Sequence, residues 1–361
     1  MPADSTPPEG TAAGRPDGVP PRLADRDPAV APGRLVADLI PPPRFNAVRF
    51  ATYLPDPVQP TQAAAVAGLS AFAARIEAGP ESPRRWFSRA PAPPEGRSGA
   101  YLDGGFGVGK THLLASLWHS VTGPKAFGTF VGYTHLVGAL GFQRAVDALS
   151  AHRLVCIDEF ELDDPGDTVL MSSLLNRLVD AGVRLAATSN TLPGALGEGR
   201  FAAEDFLREI QGLSAHFDVL RVDGDDYRHR GLPAPPEPMN DAEVRDLAAT
   251  APEGSTLDGF DDLLRHLPRV HPSRYGALLD GVPRVHLTGV HPVPDQATAL
   301  RVVVLADRLY DRDIPVIASG IALDRLFSPE MLRGGYRKKY YRAVSRLVAL
   351  AREGMAGDAP S

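Results

Sequence analysis

The segment Gly104-Gly105-Phe106-Gly107-Val108-Gly109-Lys110-Thr111 has the spacing of a phosphate cradle: glycine, four residues, then Gly-Lys-Thr. Glycines let successive backbone N–H groups converge on phosphate oxygens with no Cβ in the way, and the phosphate charge then rests on a helix N-terminus. Lys110 would reach the β and γ phosphates, and the Thr111 hydroxyl would enter the shell of a magnesium ion. Further on, the apolar run Leu154-Val155-Cys156-Ile157 closes on Asp158-Glu159. Such a run is a buried parallel strand that delivers carboxylates to the C-terminal edge of a sheet, where α/β folds bind ligands. Asp158 there would hold magnesium through water, and Glu159 would polarise the attacking water. A glycine-rich turn can be purely structural, but the two motifs together imply a nucleoside triphosphatase.

The elements that position these residues follow from the same reading. Ala100-Tyr101-Leu102 forms a strand before the cradle, and residues 111–120 form an amphipathic helix after it. Strands at 127–133, 153–158, 183–190 and 217–222 alternate with helices at 134–140, 143–150, 168–181 and 203–216. A βαβ succession of this kind predicts an α/β fold, a three-layer parallel sheet of the P-loop NTPase (AAA/ASCE-like) type. The expected organisation is a Pro- and Gly-rich disordered tail over 1–33, an arm and helix over 34–97 and an ATPase core over 98–223. A linker over 224–240, a C-terminal α/β extension over 241–352 and a short tail over 353–361 follow. Within 34–97, Thr61 is the expected N-cap of a helix over 63–76.

Asn190 ends the strand that finishes in Thr188-Ser189-Asn190. Its amide could contact the γ phosphate or the attacking water, although Asn before Thr-Leu-Pro-Gly is also ordinary turn chemistry. Arg200 and Arg208 are candidates for an arginine that stabilises transition-state charge from a neighbouring subunit of a homo-oligomer. Arg208 could equally pair with Glu204 on its own helix. Near the end, Arg333, Arg337, Lys338, Lys339, Arg342 and Arg346 interleave with Tyr336, Tyr340 and Tyr341. The pattern suits a solvated helix face better than a phosphate or acidic-partner site.

Composition narrows the class. The 361 residues suffice for about two domains, and the hydrophobic content of 43% is that of a globular protein. No stretch approaches the roughly 20 apolar residues of a membrane span, and the first residues lack a signal-peptide layout, so a cytoplasmic chain with no integral span is expected. A net charge of −6 makes nucleic acid an unlikely partner. The single cysteine, Cys156, reads as a small buried apolar residue of its strand. One internal similarity is visible: residues 153–188 align without gaps onto 284–319, with Gly289 and Val290 in place of Asp158 and Glu159. Such a second copy could not hydrolyse nucleotide. It is either a decayed duplicate or two βαβ units shaped by common packing rules.

The chain resembles the ZapE and AFG-type ATPase family over roughly residues 53 to 350. The carriers are Tyr-Leu-Asp-Gly-Gly-Phe-Gly-Val-Gly-Lys-Thr (101–111), Cys-Ile-Asp-Glu-Phe (156–160) and Ala-Thr-Ser-Asn (187–190). With them stand Asp-Tyr-Arg-His-Arg (226–230), Leu-Tyr-Asp (309–311) and Val-Ser-Arg-Leu (344–347). The resemblance implies ATP and Mg2+ at the cradle, Asp158 as metal acid, Glu159 as base and Asn190 as sensor. It also implies an AAA-type core acting on FtsZ polymers, at the division site or peripheral to the membrane. Many relatives carry an arginine where this chain has Ala203, which leaves the finger open between Arg200 and Arg208. Residues 53–62 resemble the segment that lies over the base in related ATPases. A DNA-associated helicase-loader-like ATPase and a nucleotide-gated scaffold are the alternatives.

Overall fold

The computed structural model describes residues 20–79, 97–105, 107–161, 165–192, 207–224 and 235–356. Ahead of the first sheet runs an arm that carries α1 (Pro32–Ala37) and α2 (Pro60–Ala78). Pro60 opens α2 at its first helical position, where the missing N–H is no loss. Gln59 is therefore the N-cap, and the Thr61 hydroxyl, rather than capping the helix, accepts the backbone N–H of Asp223 at 3.0 Å.

The first unit is built on β1 (Gly99–Gly104), α3 (Lys110–Ser120), β2 (Lys125–Thr129), α4 (Phe130–Leu140), α5 (Phe142–Ser150) and β3 (Leu154–Asp158). It continues with α6 (Pro165–Asp180), β4 (Arg184–Ser189), α7 (Leu207–Ala215) and β5 (Phe217–Val222). The strands lie in the order β2-β3-β4-β1-β5, all parallel. The alternation along β3 shows the three layers. Leu154 and Cys156 pack with α2 and α3, while Val155 and Ile157 pack with α4, α5 and α6. A strand covered on both faces must be apolar throughout, which is why this segment reads as an unbroken hydrophobic run. Cys156 is fully buried, and burial pushes its thiol pKa up.

Where the sequence predicts a strand over 127–133, β2 stops at Thr129. The Thr129 side chain accepts the N–H of Gly132 at 3.0 Å, capping α4 so that the helix starts at Phe130.

The second unit comprises α8 (Asp241–Thr250), β6 (Thr256–Gly259), α9 (Phe260–His266), α10 (Tyr275–Leu278) and β7 (Val285–Val290). It ends with α11 (Gln296–Asp311), β8 (Val316–Gly320) and α12 (Arg337–Ala356). Its strands form a parallel sheet, β6-β7-β8, around a separate apolar core. The two aligned segments form β3-α6-β4 and β7-α11-β8. Gly289 adopts φ 67° and donates its N–H to the Ser319 hydroxyl at 3.0 Å, as Glu159 at φ 55° donates to Thr188. The shared geometry falls one residue earlier than the gapless alignment places it, and β7 carries an irregularity between Leu287 and Val290.

The arm ties the units together. The Pro21 carbonyl accepts the N–H of Leu257 on β6 at 2.9 Å, and Leu23 is fully buried in the second core, with Asp258 accepting the N–H groups of Leu23 and Ala24. Leu39 crosses to the first unit, its carbonyl accepting the N–H of Phe127 on β2 at 2.8 Å. Arg44 returns to the second, stacking 3.3 Å from the centre of the Tyr310 ring and pairing with Asp313. Its neighbour Phe45 bonds His119 on α3 at 2.9 Å. Residues 20–33 are thus packed structure, in contrast to the tail read over 1–33. No helix among the described residues is long and apolar enough to cross a membrane.

Candidate active site

The cradle follows β1 and leads into α3. At Gly104 a Cβ would stand 2.1 Å from the Val222 carbonyl oxygen, so β5 leaves room for glycine alone. Gly109 has φ 87°, and its Cβ would meet the Tyr53 ring at 2.7 Å. Tyr53 is fixed over the cradle by donating its hydroxyl to the Val108 carbonyl at 2.9 Å. Gln62 ties the same segment to the end of β5, donating to the Asp223 carbonyl at 2.8 Å. Gly105, Gly107 and Val108 complete the described part of the turn; Phe106 lies outside the described residues.

Lys110 is buried and donates to the Gly104 carbonyl and to the Asn190 side-chain oxygen, each at 2.8 Å, and to the Gly105 carbonyl. Thr111 places its hydroxyl 3.1 Å from both oxygens of Asp158. Asp158 is raised to about 6, chiefly by burial and then by the neighbouring charge of Glu159, against the pull of the Thr188 and Thr111 hydrogen bonds. The side-chain amide of Asn190 donates to Glu161 at 3.1 Å, so a second glutamate fixes the orientation of the sensor candidate. The sequence reading passed over Glu161, although its place two residues after Glu159 at the end of a strand was a usable signal.

Glu159 leaves the strand in the left-handed region, φ 55°, a conformation that costs energy for a residue with a Cβ. Its carboxylate meets Arg346 at 3.1 Å and also Arg342, both on α12. The same two arginines pair with Asp307 on α11, Arg342 at 2.9 Å. Burial works against charge on Asp307, yet Arg342 and Arg346 hold its carboxyl below the usual range. The basic stretch of α12 is therefore not simply a solvated face. Arg333, Arg337 and Tyr341 are exposed, whereas Arg342 and Arg346 are 15% and 13% exposed and turn inward. Their i, i+4 spacing beside the buried Ala343, Leu347 and Leu350 was the available signal.

A cavity of about 300 Å³ joins these groups. Its walls include Lys110, Thr111, Asp158, Glu159 and Asn190 from the first unit, Arg308, Arg312, Arg342 and Arg346 from the second, and Leu39, Ile40 and Phe45 from the arm. Arg200, the side chain of Arg208 and the 226–230 motif lie outside the described residues. Among the described residues, the arginines that line the cleft are Arg308, Arg312, Arg342 and Arg346.

A family model described as AFG1-like ATPase matches residues 29–242 and 233–357. Cell division protein ZapE of Escherichia coli K12 is 34% identical over 146 residues, covering 37% of this chain and 39% of that protein. Lactation elevated protein 1 homolog B of Danio rerio is 26% identical over 168 residues, covering 40% of this chain and 33% of that protein. Each alignment thus spans well under half of the curated relative. Among solved structures, domain III of the Thermotoga maritima replication initiation protein DnaA superposes with a TM-score of 0.38 at 18% identity, over 52% of this chain and 70% of that one.

Proposed function

Because this chain belongs to the AFG1-like ATPase family, we propose that it hydrolyses ATP to ADP and phosphate, with magnesium, in the cleft between its two units. The observation that carries this reading is the convergence of Lys110, Thr111, Asp158, Glu159 and Asn190 on one cavity wall. The cradle N–H groups and Lys110 bind the phosphates and spread their charge. Thr111 and Asp158 offer hard oxygen donors side by side, the donor set that magnesium takes, and would hold the ion, which neutralises phosphate charge when bound. Thr188 keeps Asp158 in place by donating to it, and the bond from the Asn190 amide to Glu161 supports Asn190 as the group that orients water or the terminal phosphate. Glu159 takes the water proton. The ring of Tyr53 over Gly109 supports residues 53–62 as the cover of the base.

The sequence resemblance and the cell division role in the name of the Escherichia coli relative support FtsZ polymers at the division site as the target. The test is steady-state ATP hydrolysis by wild type and Glu159→Gln, each alone, with FtsZ polymers, and with single-stranded or duplex DNA at two salt concentrations. FtsZ-dependent turnover or bundling supports the division reading. DNA stimulation that fades with salt moves the protein to the helicase-loader class, and binding without turnover leaves a nucleotide-gated scaffold.

A further inference from the structure

Glu159, Arg342, Asp307 and Arg346 form a closed ring of charge. Arg342 gives one terminal nitrogen to Glu159 and the other to Asp307, and Arg346 does the same. Two cations and two anions cancel, and all four side chains are less than 20% exposed. The arrangement has a chemical consequence: Oε1 of Glu159 accepts an N–H of Arg346 at 3.1 Å, and Oε2 is engaged in an ion pair with Arg342. A carboxylate held in place by two arginines is not free to turn toward a water molecule over the cradle. The group best placed to activate water is thus the one that the second unit restrains.

The ring also has a spare donor, and it gains a spare charge when Glu159 leaves. The Nε of Arg342 is buried and has no hydrogen-bond partner among the described residues, an arrangement that costs free energy until an acceptor arrives. If Glu159 leaves, Asp307 alone faces two arginines, and the cleft wall carries a net positive charge beside Lys110, Thr111 and Asp158. A terminal phosphate is a stronger claimant for two guanidinium groups than one carboxylate, since it has three oxygens and more charge.

We propose that Arg342 and Arg346 form a two-position latch: with Asp307 as fixed anchor, they hold either the Glu159 carboxylate or the terminal phosphate of a bound nucleoside triphosphate. This inference rests on the ATPase reading above. In the second position Glu159 is free, and the step balances simply. Water oxygen bonds to the γ phosphorus, the bond from that phosphorus to the bridging oxygen breaks with its electron pair leaving on the diphosphate, and the water proton passes to Glu159. The arginines then act as catalytic residues toward phosphate, and Asp307 is a positioning residue.

The latch makes Glu159 and the γ phosphate competitors, which equilibrium binding can read without turnover. The experiment measures dissociation constants of fluorescent ADP and of a non-hydrolysable ATP analogue, both with magnesium, on the full chain, beside wild-type turnover. Variants are Glu159→Gln, Arg342→Gln, Arg346→Gln, Arg346→Lys and the triple variant Glu159→Gln/Arg342→Gln/Arg346→Gln. Glu159→Gln is expected to tighten the analogue by ~5-fold or more, within the usual span of a coupling between sites, and to leave ADP unchanged. Either arginine-to-glutamine change is expected to weaken the analogue ~10-fold with ADP unchanged, and Arg346→Lys to recover part of the loss because charge remains but the fork does not. In the triple variant the tightening from Glu159→Gln disappears, the signature of a coupled pair.

Analogue affinity that Glu159→Gln leaves within about twofold of wild type, a change too small to count as coupling, overturns the latch. Arginine changes that weaken ADP and analogue alike also overturn it, since they mark the ring as a structural brace. If the arginine variants do not fold, Glu159→Gln alone decides, because it keeps Arg342, Arg346 and Asp307. Wild type without turnover refutes the ATPase reading, and analogue binding alone then decides the latch; wild-type turnover with no analogue tightening refutes only the latch.

Discussion

The hydroxyl of Thr188 accepts the backbone N–H of Glu159 at 3.0 Å while it donates its own hydrogen to the Asp158 carboxylate. One side chain on β4 thus secures both acids at the end of β3. Thr188→Val keeps shape but removes both bonds, leaving a buried acceptor-less N–H and a less constrained Asp158. Turnover should fall by ~100-fold, comparable to losing a positioned catalytic group, while thermal unfolding shows a loss of only about 1–3 kcal/mol. Wild-type turnover in this variant would mean that the pair of acids is positioned by something else.

At Gly109 two constraints coincide, a φ of 87° and a Tyr53 ring within 2.7 Å of any Cβ. Gly109→Ala must displace the arm or reshape the cradle. Nucleotide affinity is expected to fall by more than ~10-fold, and Tyr53→Ala in the same chain should restore part of it by making room, an interaction of the kind a double-mutant cycle measures. No rescue would locate the damage in the backbone alone.

His135 on α4 lies 5.9 Å, centre to centre, from the His271 ring. Burial first, then the charges of Arg308 and His271, push it down to about 3. The folded chain therefore resists protonating this ring while the unfolded chain protonates it at its ordinary value. Stability contributed by the neutral ring is complete above about pH 6.5 and is lost as pH falls toward 3. At pH 5 the loss is about 2 kcal/mol, and denaturant unfolding of His135→Gln at pH 7.5 and 5 should lack that difference. Comparing the two chains removes the contributions of buried carboxyls such as Asp258 and Asp311, which titrate in the opposite sense.

Leu23 fills the second core although it precedes the ATPase unit in sequence. Leu23→Ala should cost about 3 kcal/mol, read as a lower unfolding midpoint. If the cost is under about 0.5 kcal/mol, the value of an exposed substitution, the arm is not an integral part of that unit.

The phosphate cradle, the acidic strand end and Asn190 were readable from the chain because each is a short, continuous segment whose residue types serve local geometry. The parallel three-layer sheet followed from the strand and helix alternation around them. The charge ring was signalled only by the i, i+4 spacing of Arg342 and Arg346, and its partners were not readable. Arg342 and Arg346 look like members of an exposed basic helix until α12 is laid against α11 and the end of β3, a matter of tertiary packing. The start of α4 was misplaced because Phe130, Val131 and Tyr133 suit a strand by type, and one hydroxyl at Thr129 decides otherwise. Residues 20–33 lack periodicity because they fold as an extended strap that borrows another unit's core.

Arg44 is held by Tyr310 and Asp313 on one side of the cleft, and Phe45 is held by His119 on the other. Their Cα atoms are one peptide apart, about 3.8 Å, so this point cannot stretch. Any widening of the cleft that keeps both anchors must be a rotation about residues 44 and 45, with the far rim travelling most.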